Sequence, residues 1–251
     1  MSEFYIGYLP KAPVGIRRRV LALVILLLVL CTACAFLFAK SQKTFANSLF
    51  EFGKERVFEG TIEEAPYPIL SIKRPGASLS SAAYSHYLLV AAGKHGANAQ
   101  VAKYVGKDVR LRGSLIYRDG QTMIELVNGS IAEVASAQRP PEAPSMLGEF
   151  TLTGEIVDSK CYLGVMNPGS GKVHRDCAVR CISGGIPPAL ATKDLDGTPS
   201  LLLLTDLQHK PLPKEVIIRL VGQPVRIRGQ VLRLGSTMFL ETESAWIAAL
   251  R

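Results

Sequence analysis

The sequence of 251 residues predicts an all-β protein that follows one N-terminal transmembrane helix. Two observations predict the β architecture: apolar and polar residues alternate along several short segments, and one pattern of segments occurs twice. A third observation predicts the helix: residues 20–39 contain no charged side chain. The chain therefore divides into a membrane segment and two small tandem β-barrels.

The uncharged segment 20–39 spans roughly 30 Å as a helix, the thickness of a bilayer's hydrocarbon core. Lys11 and Arg17–Arg19 precede it, so the positive-inside rule places residues 1–19 in the cytoplasm. A cleaved signal peptide is the alternative, but its apolar stretch is shorter and ends in small residues, whereas this one ends in Phe36-Leu37-Phe38. We expect a single-pass protein of the cell inner (plasma) membrane, with periplasmic C-terminal domains.

A connecting segment, residues 40–55, follows the helix. Phe45, Leu49 and Phe52 are spaced i, i+4, i+7, which predicts a short amphipathic helix. The net charge of +8 suits anionic lipid or an acidic partner protein, and it is too small to indicate nucleic acid. The predicted partners are therefore subunits of a membrane protein complex, and the bilayer through residues 20–39. The sequence indicates no small-molecule substrate.

The duplicated pattern defines two domains, residues 56–135 and 149–251, with a Pro-rich linker at 136–148. KDVRLRGSLI in the first copy corresponds to QPVRIRGQVL in the second, and Val-Gly precedes each. The offset between equivalent glycines grows from 94 positions at Gly60 to 116 at Gly106. The second copy has therefore gained 22 residues, and such an insertion in a loop costs little stability.

Each copy is predicted to fold as an OB-like small barrel. Val109 and Leu111 alternate with arginines, as expected of a strand with one buried face. Asp119-Gly120 predicts a tight hairpin turn. A short helix is expected before each Val-Gly pair, at 98–104 and at 214–220. Strands, a short helix and a closing hairpin in this order indicate a Greek-key barrel of the OB type.

The gained residues include a Cys/His insert, 159–188. Cys161 follows the first strand of the second domain, and the segment Lys172–Ile182 is predicted to form a helix that ends before Gly184-Gly185. His174, Cys177 and Cys181 are spaced i, i+3, i+7, so they share one stripe of that helix. The first copy contains no cysteine. Four donor side chains are therefore expected to converge beside the second barrel.

Three hypotheses account for these donors. Cys161, His174, Cys177 and Cys181 match the ligands of a tetrahedral Cys3His site for Zn, Cu or Fe. Alternatively, Cys161 forms a disulfide with Cys177 or Cys181 in an oxidising compartment, which leaves one thiol over. In the third hypothesis Cys177 is a redox thiol activated by His174.

The segment GEIVDSKC, followed by HRDCAVRC and GIP, resembles an uncharacterised module that recurs in small exported bacterial proteins. The resemblance covers residues ~150–200. It implies an exported bacterial setting and points to the same four side chains, and it implies no substrate or reaction.

The sequence contains no Ser-His-Asp motif, phosphate-binding loop or dinucleotide fingerprint. We therefore predict a non-catalytic accessory or assembly subunit of a membrane protein complex, of respiratory or photosynthetic electron transfer. The alternative is a metal- or cofactor-binding protein that handles electrons or metal directly at the Cys3His site.

Overall fold

The computed structural model describes residues 13–41, 47–64, 66–74, 84–135 and 143–250. The chain forms two compact units, residues 1–45 and 46–251. The first unit contains helix α1 (Val14–Ser41), whose side chains are all exposed and whose mean hydropathy reaches 3.1. Its 28 residues extend about 42 Å. Helix α1 is therefore long and apolar enough to cross a bilayer.

The second unit begins with a closed five-stranded barrel, barrel 1. Its elements, with two short accessory strands, are β1 (Ser48–Phe50), β2 (Arg56–Glu64), β3 (Pro68–Lys73), β4 (Tyr84–Val90), α2 (Asn98–Val101), β5 (Asp108–Arg118), β6 (Gln121–Leu126) and β7 (Ala132–Glu133). The barrel order is β2-β3-β4-β6-β5 and back to β2; β4 and β6 are parallel and the other pairs antiparallel. Strands β1 and β7 pair with β5 outside the closed ring.

The second closed five-stranded barrel, barrel 2, repeats this order. Its elements are β8 (Ser145–Asp158), α3 (Arg175–Ser183), β9 (Pro188–Thr192), β10 (Ser200–Thr205), α4 (Lys214–Leu220), β11 (Pro224–Leu234), β12 (Thr237–Glu241) and the accessory strand β13 (Ile247–Ala249). The order is β8-β9-β10-β12-β11 and back to β8. Again the only parallel pair of the ring is formed by the strands that come third and fifth in the chain, β10 and β12. Gly60 faces Val109 in barrel 1 as Gly154 faces Val225 in barrel 2, so the repeat in the sequence is a repeat of strand register.

The local structure follows the residue pattern closely. Asp119 and Gly120 have φ of 50° and 79°, the left-handed pair that a two-residue type I′ hairpin requires. Val109 and Leu111 are buried in barrel 1, as the period-two pattern predicts. The two expected helices are also present, as α2 with a 3₁₀ turn through Tyr104, and as α4.

The register also locates the inserted residues. Ile62 pairs with Leu70 eight positions later, and Ile156 pairs with Leu190 thirty-four positions later. The connection between the first two strands of the barrel is therefore 26 residues longer in barrel 2. Compensating changes elsewhere reduce the net gain to the 22 residues seen in the sequence. Both closed rings tolerate this because the insertion lies entirely between two paired strands.

The two barrels share an apolar seam, a cluster of buried side chains contributed by both barrels and by the insert. Strand β10, sequence SLLLLT, is buried on both faces: Leu202 and Leu204 fill barrel 2, whereas Leu201 and Leu203 face the seam. From barrel 1, Gln121 Nε2 donates a hydrogen bond of 2.8 Å to the Leu201 carbonyl. Because each large apolar side chain removed from water contributes about 1.5–3 kcal/mol, the seam holds the barrels as one body.

One local prediction was wrong, and another falls partly outside the described residues. Leu49, expected on a helix, lies in strand β1, which pairs with the end of β5. A helix this short is marginal in water, so the open edge of β5 provides better partners for its backbone. Of the predicted linker 136–148, residues 136–142 lie outside the described ranges, and β8 begins within it at Ser145. The predicted cytoplasmic segment 1–19 is described only from residue 13.

Candidate metal centre

The insert leaves barrel 2 at the end of β8 and returns at β9. After one helical turn at Cys161–Val165, a loop leads to the 3₁₀ turn Lys172–His174 and then to α3. Ala178 and Ile182, four positions apart on α3, pack into the core of barrel 2. Each is preceded by a cysteine, Cys177 or Cys181, so the neighbouring stripe of the helix packs against the seam. The packing of Ala178 and Ile182 thus fixes the rotation of α3 about its axis, and this rotation directs the two cysteine side chains toward the seam.

The structure brings all three cysteines of the insert together. The sulfur atoms of Cys161, Cys177 and Cys181 lie within 4.8 Å of one another, and the Cys161 and Cys181 sulfurs are 3.9 Å apart. Thiolates bound to one tetrahedral Zn²⁺ at about 2.3 Å lie roughly 3.8 Å from each other. A disulfide holds its sulfurs at about 2.05 Å and engages two of them. The Cys161–Cys181 spacing therefore matches that of two thiolates on one metal ion, and the third sulfur lies close enough to join them.

His174 lies close to one of these three cysteines, Cys161. Its ring nitrogen, a carboxylate oxygen of Asp158 and the Cys161 sulfur form a second group within 4.8 Å. His174 Nε2 lies 3.0 Å from Asp158 Oδ2, and the other oxygen of Asp158 accepts a 2.8 Å hydrogen bond from the Cys161 backbone N–H. All three residues are buried. Of the four predicted donors, the three thiols converge on one point, while His174 lies beside Cys161 and is held by Asp158.

A lysine that the sequence did not reveal completes the cluster. Lys94 Nζ lies 2.8 Å from the Cys177 sulfur and 3.8 Å from the Cys181 sulfur. It comes from barrel 1, in the connection between β4 and α2, more than eighty positions before Cys177 and Cys181. No spacing rule links residues so far apart, and only the packing of the two barrels brings them together. The hydrogen bond to Cys177, and the neighbouring thiols, raise the pKa of the Lys94 ammonium.

Two of the three thiols, Cys161 and Cys181, have shifted pKa values of opposite direction. The pKa of Cys181 is lowered because the Cys161 S–H donates to its sulfur and because Lys94 lies nearby. The pKa of Cys161 is raised because it is that donor, is buried, and lies beside the Asp158 carboxylate. Of these two thiols, Cys181 therefore ionises more readily, and Cys161 holds its proton more tightly. A bound metal ion would displace that proton, since metals bind the thiolate form and release protons.

Protein-family models, functionally characterised proteins and solved structures give no match to this chain. What it does must be argued from the site. The site offers three soft sulfur donors, a buried imidazole–carboxylate pair and one ammonium group. This set suits binding of a thiophilic metal ion, or oxidation of two thiols.

Proposed function

We propose that this chain is a membrane-anchored metal-binding protein that holds one thiophilic ion, Zn²⁺ in the first instance, at Cys161, Cys177 and Cys181. One observation carries this function: three sulfur atoms from two separate backbone segments lie within 4.8 Å of one another. Cys and His are the ligands that structural zinc sites prefer. His174 lies beside Cys161 and would supply a fourth donor, with its ring oriented by Asp158, as carboxylates do for metal-binding imidazoles.

The geometry favours this metal-handling hypothesis over a disulfide staple. A disulfide needs only two cysteines, and it does not account for a third sulfur atom within 4.8 Å of the other two. Two of the three thiols, Cys161 and Cys181, are buried, whereas Cys177 is half-buried at the solvent edge. An ion would therefore enter and leave past Cys177.

The barrels themselves support a role in metal handling or assembly rather than ligand capture. Their strand order and the helix between the third and fourth strands favour the OB type. OB barrels bind oligonucleotides and oligosaccharides on the face of strands two and three. Here those strands are β3 and β4, and β9 and β10, and they contribute residues to the shared seam. The faces that OB barrels use for ligands are thus covered by each other.

The setting follows from α1 and its flanking charges. Helix α1 would anchor the chain in the inner membrane, and Arg17–Arg19 would hold its N-terminal end in the cytoplasm. The barrels then serve a membrane complex, of electron transfer in our hypothesis, from the periplasmic side. A C-terminal fusion to a reporter enzyme that works only outside the cytoplasm should be active. Activity of a cytoplasm-only reporter at the same position would reverse the orientation.

The metal function is tested on the whole chain, purified in detergent without added chelator. We expect one equivalent of bound metal by elemental analysis. Five cysteines are present, and Cys31 and Cys34 lie on α1, outside the site. A thiol reagent should therefore count two thiols in the loaded protein and five after denaturation with chelator. Cys177→Ser should lose the metal, and Cys34→Ser, the matched control, should keep it. A metal-free chain with three thiols and one disulfide would establish the staple instead.

A further inference from the structure

We propose that Lys94 belongs to the metal centre, so that barrel 1, which has no cysteine, provides the cation that balances the net negative charge of three thiolates of barrel 2 around a divalent ion. This inference rests on the metal-binding function proposed above. It makes the centre a composite of both barrels, complete only when they are docked.

The loop that carries Lys94 is held by a buried lysine of the insert. Lys160 is 1% exposed, and its ammonium donates hydrogen bonds of 2.8 Å to the Ala91 carbonyl and 2.7 Å to the Gly93 carbonyl. It also forms an ion pair with Glu125 of barrel 1. A buried charge is costly unless it is paired and hydrogen-bonded, and Lys160 has both kinds of partner. The insert therefore fixes the backbone immediately before Lys94.

The other side of the loop rests on the end of α3. The Gly96 N–H donates a 3.0 Å hydrogen bond to the Gly184 carbonyl. A Cβ on Gly96 would lie 2.2 Å from the Gly185 carbonyl oxygen, and a Cβ on Gly184 would lie 1.9 Å from the Lys94 carbonyl oxygen. The two backbone segments can approach this closely because Gly96, Gly184 and Gly185 have no side chain. Lys94 is thus clamped between two contacts, and both anchors come from the cysteine-bearing insert.

The charges around the thiols explain why the position of Lys94 matters. Lys160 is paired with Glu125, so these two charges offset each other. Three thiolates with a divalent ion carry one net negative charge, and the Lys94 ammonium cancels it. With a monovalent ion the same set would keep a net negative charge in a largely buried site, which is unfavourable. The arrangement therefore suits a divalent thiophilic ion, for which Zn²⁺ is the natural probe.

The test measures Zn²⁺ affinity by competition with a chromophoric chelator, using the whole chain in detergent. Lys94→Met removes the charge and the donors, and Lys94→Gln keeps a donor without the charge. Lys103→Met, at an exposed lysine of the same barrel, is the matched control. Loss of a group that hydrogen-bonds to a metal ligand typically costs 10–100-fold in affinity. We expect a loss of at least tenfold for both Lys94 variants and less than twofold for Lys103→Met.

A second readout separates this role from a structural one. Lys94 is exposed, so the metal-free variants should unfold at the same urea concentration as the metal-free parent. The Co²⁺-loaded parent should show thiolate-to-metal charge-transfer absorption, and Lys94→Met should need at least tenfold more Co²⁺ to reach it. If the parent binds no metal, both the function and this inference fall. If the parent binds Zn²⁺ and both Lys94 variants bind it equally well, only the role of Lys94 is overturned.

Discussion

Barrels 1 and 2 have the same strand order and the same register, and they differ in the connection between their first two strands. In barrel 1 that connection is short, and in barrel 2 it is 26 residues longer and carries every thiol of the candidate site. The closed ring is unaffected by the difference. Barrel 1 nevertheless contributes Lys94 to the thiols and Glu125 to Lys160. The longer connection of barrel 2 and the side chains of barrel 1 thus form one candidate site from two unequal partners.

The largest expected effect tests whether the contacts of Lys160 with barrel 1 stabilise the fold. Lys160→Met should lower the free energy of unfolding by about 3 kcal/mol, because it leaves Glu125 and two carbonyl groups without their buried cation. Urea unfolding with chelator present separates this effect from metal binding. Lys172→Met, at an exposed lysine of the same insert, should change little. A cost below about 1 kcal/mol for Lys160→Met would mean that the contact adds nothing to stability.

The next effect tests whether the barrels form one body. Leu202→Ala empties a position inside barrel 2, and Leu203→Ala empties a position in the seam. Both leucines are buried, at 0% and 3% exposure, so each variant should cost about 3 kcal/mol by chemical denaturation. If Leu203→Ala lowers the free energy of unfolding much less than Leu202→Ala does, the seam contributes little. The two barrels would then be independent domains.

The smallest effect compares two glutamates at equivalent positions. Glu125 faces Ser114 as Glu241 faces Gln230, but Glu241 lies beside exposed His209 instead of a buried lysine. Burial raises the pKa of Glu241, so its contribution to stability is lost as pH rises through the folded-state value. Glu241→Gln should therefore be stabilising at pH 7, by about 0.5 kcal/mol, and neutral below about pH 4.

Thermal or urea unfolding across that pH range checks the last expectation. Glu243→Gln, at an exposed neighbour, is the matched control. A Glu241→Gln variant that is destabilised at pH 7 by more than about 1 kcal/mol would show that the His209 contact outweighs the cost of burial.

Much of the fold was predictable because its signals are local. The alternation of Val109 and Leu111 and the Asp119-Gly120 turn each depend on neighbouring residues, and the uncharged helix was equally clear. Strand β1 was missed because its partner, the end of β5, lies almost seventy residues away. The seam had one overlooked signal: four consecutive leucines in β10 indicate a strand buried on both faces.

The candidate site was predictable only in part. Cys177 and Cys181 share helix α3, so their spacing gave their common stripe, and Cys161 was adjacent to a predicted strand end. His174, predicted on the same helix, lies in the 3₁₀ turn before it. Lys94 had no such cue, because its place depends on the docking of two barrels. The pairing of His174 with Asp158 was foreseeable as a carboxylate near an imidazole, but its distance of 3.0 Å was not.

X-ray absorption at the metal edge tests the central claim most directly. The purified chain should carry one metal ion per molecule with three sulfur neighbours at about 2.3 Å. Cys34→Ser should leave that sulfur shell intact, since Cys34 lies on α1. A shell of oxygen and nitrogen atoms alone, or a chain with no metal and a disulfide between two of the three cysteines, would contradict the account.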